Sequence, residues 1–265
     1  KTEYGLSKRK AENFIKKNSK LLNYKYFIFR FPNVFGKWCK PNYNSFLSTI
    51  FFNIVRNKKI KKISPTKKIN LVYIDDVIEL TSRYLKYKGK SKILNVKGSK
   101  YNLKKLCLRI ENLWKDYQLN MHDNTATGFD RKLFSTMISY LPVKDIVKKM
   151  NGHIDKRGSF YEFLKTKKSG QFSFFTINKN KERGGHFHNT KNEKFVILYG
   201  KVNFKANNLS GKETFSKVLT SEKLCTISSL PGWVHTFKNI GNTKAIVAVW
   251  ANETLNKLKM DTYKF

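Results

Sequence analysis

His186 and His188 stand two residues apart in the string GGHFHNTKNEKFVILYG, residues 184–200. On an extended segment that spacing puts both imidazoles on one side of the strand. Glu193 follows five residues later, Gly200 closes the next turn, and PGWVHTFKN (231–239) carries His235 on a further strand after a Pro-Gly turn. Three imidazoles and one carboxylate converging inside a β-structure would hold a borderline divalent ion, with zinc the expected one, and leave positions open for substrate. The chain has only five histidines in 265 residues, so a His-x-His pair is expected only ~0.1 times by chance, before the other elements are demanded.

A second constellation lies at the other end of the chain. Tyr4 and Lys8, in YGLSK, share one face of a helix, where an ammonium lowers a phenol pKa and lets tyrosine exchange a proton with a carbonyl or alcohol. With 13 Tyr in a lysine-rich chain this spacing arises about twice by chance, and Tyr101/Lys105 and Tyr140/Lys144 also fit it. Order singles out the first pair, because RFPNVFG (30–36) and LVYIDDV (71–77) follow it as in the extended short-chain dehydrogenases/reductases, which the pair resembles. That resemblance makes Tyr4 and Lys8 the reductase and cofactor-binding pair and puts Asn33 where a sugar nucleotide is met. Arg183, three residues before His186, offers a planar, permanently charged guanidinium suited to a diphosphate. Tyr161, Lys191 and Tyr199 are the acid/base candidates around the histidines.

The elements that must position these residues fall into two regimes. Residues 1–120 alternate helical periodicity (4–17, 46–56, 76–85, 103–116) with short apolar runs (25–30, 69–74, 92–96), as an α/β domain does. From about Gly170 the pattern becomes period-two runs at 171–177, 194–199, 201–205, 214–219, 223–228 and 244–250, as in a β-sandwich or barrel. Between them, 121–155 reads as a helical connector, with helices over 134–141 and 143–150 on either side of Pro142, leaving 156–265 as the β-domain.

Composition narrows the function classes. The formal charge of +36 would attract any polyanion, yet only eight of the 54 basic residues are Arg, and the lysines are scattered among Asn, Ile, Phe and Tyr as an AT-rich coding bias would scatter them. No zinc finger, RNP signature or basic zipper is present, so nucleic acid is not the expected partner. The most apolar stretch, 46–55, is broken by Ser48, Thr49 and Asn53 and is too short to span a bilayer. Cys39, Cys107 and Cys225 are odd in number and far apart, which points to a reducing cytoplasm. The chain opens with Lys1, and the expectation is that its natural N-terminus lies upstream.

The histidine motifs resemble the cupin signature, His-x-His, then Glu, then Gly, with Pro, Gly and His in a second motif; Asn180 stands where a Gly usually opens the first. The whole chain resembles the capsular polysaccharide assembly protein CapF family, through RFPNVFGKWCKPNYNSF, LFSTMISYLP, RGSFYEFLKT and HNTKNEKF. The resemblance implies α/β plus all-β architecture: the C-terminal part of an extended short-chain dehydrogenase/reductase, Rossmann-like, followed by a jelly-roll cupin. It implies metal-assisted epimerisation at carbon 3 of a UDP-2-acetamido-2,6-dideoxy-4-hexulose, then NADPH-dependent reduction of the carbon 4 ketone, toward N-acetyl-L-fucosamine precursors. No glycine-rich loop after a first strand occurs in these residues, so NADPH is expected only with the full-length protein. The expected partners are a UDP-deoxy-keto-hexosamine and a second copy of the chain. Two alternatives stay open: a metal-free 3,4-ketoisomerase-like cupin in which His186 and His188 act as acid and base, and a non-catalytic sugar-binding cupin.

Overall fold

The computed structural model describes residues 2–60, 64–123, 125–254 and 260–265. They form two compact units, residues 1–114 with 126–146, and residues 115–125 with 147–265. The expected connector is thus shared, its helix packing with the first unit and its ends with the second.

The first unit runs α1 (Glu3–Leu21), β1 (Phe27–Arg30), β2 (Asn33–Phe35), α2 (Phe46–Val55), β3 (Lys68–Tyr73), α3 (Ile74–Leu85), β4 (Lys92–Asn95), β5 (Ser99–Asn102), α4 (Leu103–Gln118) and α5 (Gly128–Ile138). β1 pairs in parallel with β4, and β3 lies between β2, parallel to it, and β5, antiparallel. Parallel neighbours need crossover connections, here supplied by the helices, which is the Rossmann-like arrangement. In α4, Leu103, Leu106, Cys107, Ile110, Leu113 and Trp114 are buried, the i, i+3, i+4, i+7 stripe of a helix lying on a core. α1 buries none of its residues; Glu12 on it accepts from Nε and Nη2 of Arg30 on β1 at 2.8 and 2.6 Å.

After Pro142 the chain makes only a 3-10 turn, Val143–Asp145, where a helix to residue 150 is expected. Val143, Ile146 and Val147 are 82, 66 and 87% exposed, so no buried apolar face stabilises further turns.

The second unit is antiparallel throughout its named strands: β6 (Gly152–Asp155), β7 (Gly158–Thr166), β8 (Gly170–Ile177), β9 (Glu182–Phe187), β10 (Glu193–Tyr199), β11 (Lys201–Asn208), β12 (Thr214–Thr220), β13 (Ile227–Ser228), β14 (Trp233–Asn239), β15 (Ala245–Ala251) and β16 (Tyr263–Lys264). They order as β13-β10-β15-β8-β7-β6 and β12-β11-β14-β9-β16. These are the two sheets of a jelly-roll cupin, closed over Phe175, Phe195, Val202, Phe204, Phe237 and Val247. The run expected at 223–228 shrinks to β13, because Ile227 alone in it is buried, opposite Phe195.

Candidate metal centre

Backbone chemistry aims the ligands. β14 pairs with β9 as His235 opposite His186 and then Thr236 opposite Gly184, so Gly185 is an extra residue, a bulge that re-aims the histidine after it. Gly184 and Gly185 have φ of +113° and +71°, and a Cβ on Gly184 would collide with the His235 carbonyl oxygen. Both glycines are therefore required by conformation or by space. Asn180, where the motif departs from glycine, has φ +57°, a left-handed conformation that asparagine tolerates. In the Pro-Gly turn, Trp233 N–H donates to Leu230 O at 3.0 Å and Gly232 has φ +72°, as a type II turn requires. Gly232 N–H also donates to His188 O at 2.7 Å, tying the two motifs together.

His186, His188, Glu193 and His235 each present a ligand atom within 4.8 Å of the others. The ring centroids of His186 lie 5.0 Å from His188 and 4.7 Å from His235. His188, Glu193 and His235 are buried, at 1, 7 and 2% exposure. His188 Nδ1 lies 2.5 Å from the carbonyl oxygen of Asp261, which can only accept, so Nδ1 carries the proton and Nε2 presents a lone pair. That Nε2 lies 3.1 Å from Glu193 Oε2, and His235 Nε2 lies 3.4 Å from the same oxygen. A lone pair facing a carboxylate repels it unless a proton or a cation lies between them. His235 Nδ1 is buried without a hydrogen-bond partner. This donor set fits a divalent ion, and its nitrogen and carboxylate ligands are those zinc takes.

Electrostatics agree. Burial, then the neighbouring His235, pushes the His186 pKa down to about 4, which keeps its imidazole neutral and able to ligate. Burial opposes ionisation of Glu193, but the ammonium of Lys191, whose Nζ is 2.9 Å from Oε1, favours it, and the carboxyl lies well below the usual carboxylate range.

A cavity of about 230 Å³ opens beside the cluster, lined by Glu162, Gln171, Ser173, Lys191 and Thr262 together with His186 and Glu193. A second, of about 390 Å³, adjoins His235 and is mainly apolar, with Phe204, Phe215, Leu219 and Trp233. Gln171 Nε2 donates to Ser173 Oγ at 2.8 Å and to Glu162 Oε1 at 3.3 Å, while its own Oε1 is buried without a partner. Glu162 and Gln171 are absent from the sequence reading; the alternation that puts Glu162 on the inner face of β7 was the available signal.

Of the three acid/base candidates, Lys191 lines the cavity. Tyr161 lies on the other face of β7, stacked on Phe174 at 5.1 Å. Tyr199 ends β10 beyond a register shift after Ile197 and is 52% exposed. Arg183 is turned inward, donating from Nε to Thr176 O at 3.0 Å and from Nη2 to Asp155 Oδ1 at 3.1 Å. In the first unit, Asn33 is exposed on β2 and its Nδ2 donates to Asn70 O at 3.1 Å. Lys8 Nζ lies over the ring of Tyr4, 5.2 Å from its centroid, on the exposed face of α1.

Residues 1–96 match the NAD dependent epimerase/dehydratase family, and residues 153–263 match the polysaccharide biosynthesis C-terminal domain. The chain is 36% identical over 263 residues to UDP-2-acetamido-2,6-beta-L-arabino-hexul-4-ose reductase of Pseudomonas aeruginosa, covering 98% of this chain and 71% of that protein. It superposes with TM-score 0.89 and 30% identity on the crystal structure of the capsular polysaccharide assembling protein CapF of Staphylococcus aureus, covering 100% of this chain and 72% of that one. CapF with the inhibitor 3-isopropenyl-tropolone gives TM-score 0.87 at 30% identity, over 96% of this chain and 74% of that one. An epimerase/dehydratase-type unit followed by a cupin, matched along almost the whole chain, makes this protein a member of the CapF family.

Proposed function

We propose that the protein modifies a UDP-linked sugar, its cupin (156–265) inverting carbon 3 of a UDP-2-acetamido-2,6-dideoxy-4-hexulose. Its N-terminal part (1–120) would belong to a reductase that converts the carbon 4 ketone with hydride from NADPH. The observation that carries the reading is the quartet His186, His188, Glu193 and His235, three of the four buried, beside a cavity that Glu162, Gln171 and Lys191 help to line. A divalent ion held by that quartet would supply Lewis acidity at a carbonyl oxygen, which makes the proton on the adjacent carbon removable. His188, oriented by the Asp261 carbonyl, and Glu193, held by Lys191, fix the donor geometry. Inversion needs a proton taken from one face of carbon 3 and returned to the other. Lys191 and Glu162, both on the cavity wall, are the groups assigned to hold it. In the reductase part, Tyr4 would pass a proton to the carbon 4 oxygen with Lys8 favouring its ionised form, and Asn33 would meet the sugar nucleotide.

Metal analysis after dialysis tests the site. The chain should retain about one zinc, and His235→Ala should lower zinc affinity by roughly tenfold or more, since a ligand is lost. A chain that binds no divalent ion, or a variant that binds as tightly, would overturn the assignment.

A further inference from the structure

We propose that Asp261 and the strand β16 that follows it form a clasp that positions the metal ligand His188, with Asp261 as the positioning residue; this rests on the metal reading of the quartet. The clasp grips the site at several points. Asp261 presents its backbone carbonyl to His188 Nδ1 at 2.5 Å, fixing the tautomer that aims Nε2 into the cluster. Its carboxylate accepts from the amides of Asn189, Thr190 and Lys191 at 2.9, 2.7 and 2.7 Å, and from Thr190 Oγ1 at 2.8 Å. These four bonds gather the loop that joins His188 to Glu193, including the backbone of Lys191, whose ammonium pairs with Glu193.

The residues that follow anchor the clasp. β16 pairs antiparallel with β9, Tyr263 opposite Phe187 and Lys264 opposite His186. Tyr263 stacks on Phe187, with centroids 5.2 Å apart and planes at 24°, and Phe265 N–H donates to Gly185 O at 3.1 Å. One short segment therefore touches the bulge glycine, both histidines of the first motif or their pairing partners, and the loop leading to the carboxylate ligand. Ordering that loop only for stability would not need a carbonyl aimed at the ligand's ring nitrogen.

Cobalt(II) titration of the 265-residue chain, followed by visible absorption, tests the clasp. Asp261→Ala releases the loop and should weaken cobalt binding ~10–100-fold, as loss of outer-shell partners does. It should also shift the visible bands, which a role confined to stability would leave unchanged. An Asp261→Ala chain that binds cobalt with unaltered affinity and spectrum would overturn the clasp while leaving the metal site standing; absence of cobalt binding by the unaltered chain would sink the metal reading and the clasp with it. Should the variant fail to fold, hydrogen exchange in the unaltered chain decides. By reciprocity of coupled equilibria, metal should slow exchange of the Asn189, Thr190, Lys191 and Phe265 amides together. Unchanged exchange at these amides would contradict the proposal.

Discussion

Asp155 accepts from Nε and Nη2 of Arg157 at 3.1 and 2.7 Å and from Nη2 of Arg183 at 3.1 Å. The side-chain hydrogen bonds from Arg157, against some desolvation and helped by its amide and the charge of Arg183, hold the Asp155 carboxyl well below the usual range. A carboxyl whose folded-state pKa is depressed stabilises the fold above its unfolded value, about 3.9, and that contribution is lost as pH falls through the folded value. Asp155→Asn should therefore lower the Tm at pH 7, with the gap to the unaltered chain closing on acidification toward pH ~2. A gap of constant size across that range, in thermal scans, would contradict the assignment. The same contacts show why a lone guanidinium is hard to interpret from sequence. Arg183 precedes the histidine pair at a spacing that suits a phosphate ligand, but its partner Asp155 lies 28 residues away, on a strand the sequence reading did not contain.

Strand parity decides which side chains reach the metal centre, and bulges reset that parity. The His-x-His spacing, the Pro-Gly turn and the α/β-to-β change are local signals, and each was readable before any contact was known. Faces beyond a register shift were not. Tyr199 follows Ile197 by two residues, yet the shift between them takes it to an exposed position, and β7 carries another shift between Glu162 and Leu164. Tyr161 neighbours Glu162 on the strand and so faces the other side of the sheet. Asp261 acts partly through a backbone carbonyl, 73 residues from its histidine, and no residue type advertises that role. At the bulge itself, Gly184→Ala adds a Cβ against His235 O and forces a residue with φ +113° into strain. Such strain costs ~1–3 kcal/mol, and because the displaced backbone belongs to His235, metal affinity should fall along with the Tm. Undiminished zinc binding by a folded Gly184→Ala chain would show that the bulge does not set the ligand geometry.

At the scale of the molecule, two units have separate cores. The first carries Leu47, Phe51, Ile110, Leu133 and Met137 among its buried residues, and the second closes over the phenylalanines of the barrel. Among the described residues no helix is long and apolar enough to cross a membrane. The formal charge of +36 is carried mostly by lysine, and ion pairs such as Lys132–Asp76 and Lys191–Glu193 use only part of it. The quartet and the cavity beside it both lie in the second unit, where the proposed carbon 3 chemistry is placed. The most direct test is solvent exchange in D₂O with a UDP-4-keto-6-deoxy-hexosamine, read by mass spectrometry and NMR. The metal-loaded chain should incorporate one deuterium at carbon 3, because the proton removed there is replaced from solvent through the base that held it, and metal-stripped chain should not. Exchange that persists without metal, or that is absent with metal fully bound and the correct substrate epimer present, would contradict metal-assisted epimerisation.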